Sequence, residues 1–350
     1  MAKTREEAST RRDPHPIRDF FISELFDYAP KDSADLMERP FFSLSKRPRK
    51  APIEYKSPDG SLWIKVTAHP EYGMATIWDA DILIWLVSQI MAARERGEND
   101  FGRTIYTTPY ELLKGIARDT GGRDYRELMS AIKRLRSTDV ETNIRGGRRR
   151  YAAFHYLEQI DGEGEEADDP LRLKTLALTL PKWIFDSIMN SHVLTLDREY
   201  FLLKGGLERA IYRIARKHAG MQQQGWLCKM ETLYAKTGSD SPFRKFSYFV
   251  REIARRNDLP GYSMTLTEAA DGSAAVHFQS RSVTASHEVR GIVATRQRRI
   301  EDEARTLWID QGRDPKLFAT AWREWIESGH SPESFIVTHR EAFAFTRQWR

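Results

Sequence analysis

An element order that occurs twice restricts this chain more than any other feature. In "TPYELLKGIARDT", Thr108 stands where an N-cap belongs, Pro109 at the first helical position and Glu111 three residues after the cap, so a short helix starts there. "RDYRELMSAIKRLRST" follows a double glycine and reads as a second helix. "VETNIRGGRRRYAAFHYLEQI" then reads as strand, glycine turn and strand. Two short helices around a glycine turn, backed by a β-hairpin, make a helix-turn-helix with a wing. The same order returns in "GWLCK", "METLYAKTGSD", "SPFRKFSYFVREIARRND" and "GYSMTLTEAADGSAAVHFQS", whose hairpin turns at Asp271-Gly272. Glu111 and Glu231 open equivalent helices, which sets the period at about 120 residues. The fold class expected is α+β, with two tandem winged-helix domains and a small C-terminal helical module.

Between the repeats lies "DGEGEEADD", six acids with no base and two glycines, the composition of a solvated linker. The expected organisation is a disordered basic arm over 1–19, a first winged-helix domain over 20–160, an acidic linker over 161–170, a second winged-helix domain over 171–281 and the helical module over 282–350. In that last segment Trp308, Phe318, Trp322, Trp325 and Phe343 recur at loosely helical spacing with nearly balanced charge, which suits a small core as well as a partner surface. At 350 residues and 40% apolar content the chain can bury more than one core.

The second helix of each repeat separates a buried stripe from an outward face. In the first, Tyr125, Leu128, Met129, Ile132 and Leu135 fall on one side, and Arg123, Arg126, Ser130, Lys133, Arg134 and Arg136 elsewhere. In the second, Phe246, Phe249, Val250 and Ile253 are expected to be buried and Arg244, Lys245, Ser247, Tyr248, Arg251 and Arg255 to face outward. The first wing adds Arg145, Arg148, Arg149 and Arg150 around Gly146-Gly147. The overall charge is only +5, from 55 Lys and Arg against 50 Asp and Glu, so position matters more than sum. So many cations on one helix and its wing are costly to hold together unless a polyanion binds and releases its counterions. A helix fits the DNA major groove, and an arginine-tipped hairpin reaches the flanking backbone or minor groove. The second wing, "TEAADGSAA", carries no base, so the second helix is expected to matter more than its hairpin. "KRPRK", residues 46–50, reads equally as a minor-groove arm or a solvated basic loop.

Other chemistries find little support. The single cysteine, Cys228, leaves no disulfide framework and no cysteine zinc site. The most apolar run, "DILIWLVSQIMAA", is thirteen residues long and too short to span a bilayer, and the start of the chain has no export signal, so no membrane role is expected and a cytoplasmic location is. There is no phosphate-binding G-x-x-x-x-G-K-[ST], no His-apolar-His pair for a metal-dependent nicking site, and His155 has no metal-ligating neighbours. No cofactor, metal or catalytic residue is expected. A dedicated repressor with the same modules remains a rival reading, and a nuclease or helicase component a weaker one.

The sequence resembles the plasmid replication initiator protein A family. The resemblance rests on "DFFISELFDYAPKDSADLMERPFFSLSK", "ATIWDADILIWLVSQIMAA", "TGGRDYRELMSAIKRLRSTDVETNIRGG", "VLTLDREYFLLKGGLERAIYRIARKHAG", "KTGSDSPFRKF" and "ARTLWIDQGRDPKLFATAWREWIESG", long blocks in one order from about Asp19 onward. It implies a bacterial, plasmid-associated protein that binds double-stranded origin DNA at repeated sites and opens an adjacent AT-rich segment. It further implies recruitment of the host replication initiator and replicative helicase, and often repression of the protein's own promoter. Repeated sites also imply exchange between single and paired chains. The helix over 82–93 is apolar almost all round, with Ile84 and Trp85 on opposite sides, so it is expected either to pair two chains as a homodimer through the first domain or to be covered by residues 20–44.

Overall fold

The computed structural model describes residues 20–22 (backbone only), 29–98, 102–144, 151–164, 173–220, 222–282, 300–328, 330–331, 334–336 and 338–339. The chain divides after Ser280 into two compact units.

In the first unit, β1 (Phe20–Ile22), β2 (Lys31–Ser33) and α1 (Ala34–Glu38) lead to the hairpin β3 (Ile53–Lys56) and β4 (Trp63–Thr67). Then come α2 (Ala80–Glu95), β5 (Thr104–Thr107), the helix pair α3 (Pro109–Gly115) and α4 (Gly122–Ser137), and the wing strands β6 (Asp139–Thr142) and β7 (Ala152–His155). β8 (Gln159–Gly164), β9 (Leu173–Thr179), α5 (Lys182–Met189) and β10 (Val193–Thr195) close this half. The second repeat is α6 (Gly206–Ala219), β11 (Trp226–Lys229), α7 (Met230–Thr237), α8 (Phe243–Arg256), β12 (Tyr262–Glu268) and β13 (Ala274–Ser280).

Local signals account for the start of α3 and for the second wing. The amide of Glu111 donates to Thr108 Oγ1 at 3.1 Å and the amide of Thr108 to Glu111 Oε2 at 3.0 Å, a complete capping box that satisfies donors with no intrahelical partner. Each helix pair is backed by an antiparallel sheet. The first has the order β3-β4-β6-β7 and the second β11-β13-β12. In the second wing Glu268 pairs with Ala274, and the turn between them is closed by Gly272 at φ +77°, a left-handed conformation that glycine adopts without penalty. The first wing pairs Thr142 with Ala152.

The expected acidic linker begins as sheet. Asp161–Gly164 belong to β8, paired antiparallel to β9 in a second sheet of order β1-β5-β9-β8. An acidic strand is tolerated because β8 is an edge strand with its carboxylates in solvent, and alternation on an edge does not require a buried face. Past β8 the chain remains with the first half: Leu176, Leu178, Leu180, Ile184 and Ile188 pack in the same core as Leu112, Ile132 and Leu135. The second half therefore begins later than residue 171. The hairpin β3–β4, turned through "SPDG", also joins the first wing sheet, with β4 paired to β6.

α2 is the shared centre of the two halves. Every residue from Ala80 to Met91 is buried. Trp85 packs into the first core, and Ile84 into the second with Met37, Leu196, Tyr200 and Ile211. Of the two expectations for the outer side of α2, pairing of two chains at Ile84 or cover by residues 20–44, the structure has the cover: β2 and α1's Met37, both within 20–44, close it together with residues of the second repeat, because an all-apolar helix can be satisfied by two cores of one molecule. Trp85 lies so close to α3 that a Cβ on Gly115 would stand 2.1 Å from its Nε1.

Buried ion pairs cross the same junction. Arg209 Nη1 of α6 lies 2.7 Å from Asp81 Oδ1 of α2, with Arg118 3.5 Å from the other oxygen, and Arg213 Nη2 lies 2.7 Å from Asp32 Oδ2 of β2. Burial pushes both carboxyls up, against the pull of Arg213 on Asp32 and of Arg209 and Arg118 on Asp81. Arg209 also donates to the carbonyls of Leu203 and Phe201, and its guanidinium lies over the Tyr200 ring, so each nitrogen of the buried cation has an acceptor.

The second unit, taken alone, contains helical residues 300–310 (α9), a short turn at Pro315–Leu317 and α10 (Phe318–Glu327). Ala304, Trp308, Phe318, Phe335 and Ile336 form its core, with Trp322 and Trp325 packed alongside. The aromatic spacing in the sequence is packing; Phe343 lies outside the described residues.

Candidate nucleic-acid interface

α4 and α8 hold the positions of recognition helices, each the second helix of its pair and each leading into a wing. On α4 the stripe Leu128, Ala131, Ile132 and Leu135 is buried, with Tyr125 and Met129 packed at its margin. Arg123, Arg126, Ser130, Lys133 and Arg136 are exposed. Arg123 Nε lies 2.9 Å from Glu127 one turn on, Ser130 Oγ donates to the carbonyl of Arg126, and Lys133 Nζ sits 6.0 Å from the Tyr72 ring.

Arg134 departs from the sequence expectation. Its Nε and Nη2 both donate to the Asp79 carboxylate at 2.8 Å, and Asp79 is buried at the start of α2. A bidentate pair with a desolvated carboxylate fixes Arg134 as a strut between α4 and α2, so its fork is not available to DNA. Arg145, Arg148, Arg149 and Arg150 lie outside the described residues.

On α8, Arg244, Lys245, Tyr248, Arg251 and Arg255 are exposed, with Arg255 Nη2 2.9 Å from Glu252. Two residues trade places with expectation. Ser247 is buried, and Phe249 is 40% exposed. Phe246, Val250 and Ile253 already fill the core at intervals of four and three, so Phe249 falls at the rim of the stripe and Ser247 on its inner flank. Phe243, which the sequence reading passed over, is also exposed, stacked at 6.4 Å on buried Phe246. In the second wing Asp271, at the turn, is paired with Lys229 of β11 at 2.5 Å.

The basic run 46–50 is a connection within the first unit. Arg49 Nη1 donates to the carbonyl of Gly238, the left-handed residue that ends α7, at 2.7 Å, and its other nitrogens to Ala51 and Pro52, while Lys46 lies over the Trp78 ring. Missed by sequence reasoning was Tyr72, 38% exposed in a loop beside α4. It carries no periodic signal, and only the sheet β3–β4 brings it there. Among the described residues no three His, Cys, Asp or Glu side chains are grouped to hold a metal ion, and no helix is long and apolar enough to cross a membrane.

Two helix-turn-helix units with hairpin wings thus pack around one shared helix. The family model for replication initiator protein A matches residues 31–264. This chain belongs to that family. A putative replication protein of Wigglesworthia glossinidia brevipalpis is 31% identical over 252 residues, spanning 71% of the initiator described here and 89% of that relative. Domains 2 and 3 of RctB, in a crystal structure, superpose with a TM-score of 0.51 at 15% identity, covering 70% of this initiator and 97% of that chain, a likeness of fold. The matched segment takes in α2, both helix pairs and the start of the second wing, so both candidate recognition helices lie inside it.

Proposed function

We propose that the initiator binds duplex DNA at a plasmid replication origin, reading bases through α4 and α8 while the first wing contacts the backbone or minor groove. The observation that carries this reading is the pair of outward cationic rows, Arg123, Arg126, Lys133 and Arg136 on α4 and Arg244, Lys245, Arg251 and Arg255 on α8, each on a helix whose other side is committed to the core. Phosphate contacts position such a protein, and base-edge contacts give it a site. The chemistry is binding alone: adjacent AT-rich DNA is opened, and the host replication initiator and replicative helicase recruited, by a protein already fixed at its sites. Occupancy of the same sites near its promoter represses its own gene. The buried pairs of Arg209 and Arg213 support one further element of the reading, that the two halves address successive stretches of the duplex as one body.

A plasmid carrying only this gene and its upstream DNA tests the reading. The expected result is replication of that plasmid in a bacterial host, lost when Arg126, Lys133, Arg244 and Arg251 are all replaced by Ala in a protein that keeps its wild-type thermal unfolding. Autonomous replication by the four-fold variant would overturn it, as would tight duplex binding by wild type with no replication, which is the behaviour of a dedicated repressor.

A further inference from the structure

The two recognition helices present different chemistry, and the difference lies in aromatic rings. The outward face of α4 is polar and cationic throughout its length. That of α8 carries Tyr248, 58% exposed, and Phe249, 40% exposed, with ring centroids 5.7 Å apart. Neither ring belongs to the buried cluster beneath, which Phe246, Val250 and Ile253 complete. Lys245 Nζ lies 5.7 Å from the Phe249 ring, and Arg244 and Arg251 flank the pair on the same exposed surface. Exposing two large apolar rings to water has a cost, and a surface that mixes them with cations is complementary to a partner that is both anionic and locally apolar.

The major groove of DNA is such a partner at one kind of base. Among the four base pairs only those containing thymine place a methyl group in the major groove, beside acceptors that suit Arg and Lys. Residues in the N-terminal part of a recognition helix are those that reach base edges, and Tyr248 and Phe249 lie in the first two turns of α8. Resting on the DNA-binding reading above, we infer that Tyr248 and Phe249 are specificity-determining residues that pack against thymine methyl groups, so that the part of the site read by α8 contains thymines while the part read by α4 is selected by hydrogen bonding alone. Arg244 and Lys245 hold the adjacent phosphates and bring the rings to the groove.

Replacing thymine by deoxyuridine removes the methyl and nothing else, which makes the test direct. Duplexes enriched from a random library by the full chain define the site, and each thymine in it is then replaced by deoxyuridine. Burial of one methyl is worth about 0.8 kcal/mol, or about four-fold in affinity. Wild type is expected to lose about four-fold for each critical methyl within the α8 part of the site and nothing in the α4 part. Tyr248→Ala and Phe249→Ala should each lose part of the discrimination against deoxyuridine, and the double variant should bind thymine and deoxyuridine duplexes equally, at the weaker affinity; both positions are exposed, and unchanged thermal unfolding verifies that the variants fold. Equal binding of the two duplexes by wild type overturns the inference and leaves the DNA-binding reading intact, whereas failure to enrich any duplex overturns that reading itself. A change in the oligomeric state of the free protein on Phe249→Ala, with its DNA affinity unaltered, would assign the rings to a protein contact and also overturn the inference.

Discussion

At the scale of single residues, cations that look alike in the sequence do different work. Arg134 lies among four exposed cations of α4, yet its guanidinium is spent on Asp79. Arg134→Ala leaves a buried carboxylate unpaired and is expected to destabilise the fold by about 3–5 kcal/mol, the range for breaking a buried pair. Arg126→Ala should leave the melting temperature unchanged and weaken DNA binding, and a thermal melt of the two variants side by side checks both statements. His218 gives a pH dependence. Burial, then the charge of Lys236, pushes its imidazole down to about 4 against the pull of Glu38, from an ordinary value of about 6.5. The unfolded chain therefore binds a proton that the folded chain refuses between about pH 6.5 and 4, and stability falls as the pH falls through that window. His218→Gln should flatten the slope of stability against pH there, measured by urea titration; an unchanged slope would place the proton elsewhere.

At the scale of elements, the helix-turn-helix units, α2 and the second wing were legible because each rests on local signals: the Thr108 and Glu111 box, the apolar stripe of α4, and Asp271-Gly272. What could not be read was decided by distant partners. Asp161–Gly164 is a strand only because β9 pairs with it, and the outer side of α2 is closed only because β2, Met37 of α1 and the second repeat pack over it. Phe249 and Ser247 exchanged roles because a stripe of period 3.6 leaves its edges undecided until the opposing surface is known. Most of the exposed cations on α4 and α8 were legible, but Arg134's partner, Asp79, lies 55 residues upstream. Ile84→Glu puts a charge between two cores and is expected to prevent folding, seen as loss of cooperative unfolding; a folded monomer would contradict the shared-core arrangement. Gly115→Ala drives a methyl into Trp85, whose ring is itself buried, and should cost about 1–3 kcal/mol by the same melt.

At the scale of the molecule, two winged helices are joined by a common helix and by buried ion pairs into one body, and the proposed DNA reading requires affinity, register and salt dependence to follow from both helices acting together. Each phosphate neutralised by a cation lowers the logarithm of affinity by about 0.9 per tenfold increase in salt, so the two helices contribute separately countable slopes. The measurement that tests the central claim most directly is a footprint on the enriched duplex at two salt concentrations. It compares wild type with two triple variants, Arg126→Ala, Lys133→Ala and Arg136→Ala on α4, and Arg244→Ala, Lys245→Ala and Arg251→Ala on α8. Wild type should protect one continuous site, and each variant should lose protection of a different part of it together with salt slope. Protection of the whole site by either variant, with the wild-type slope, would contradict the account.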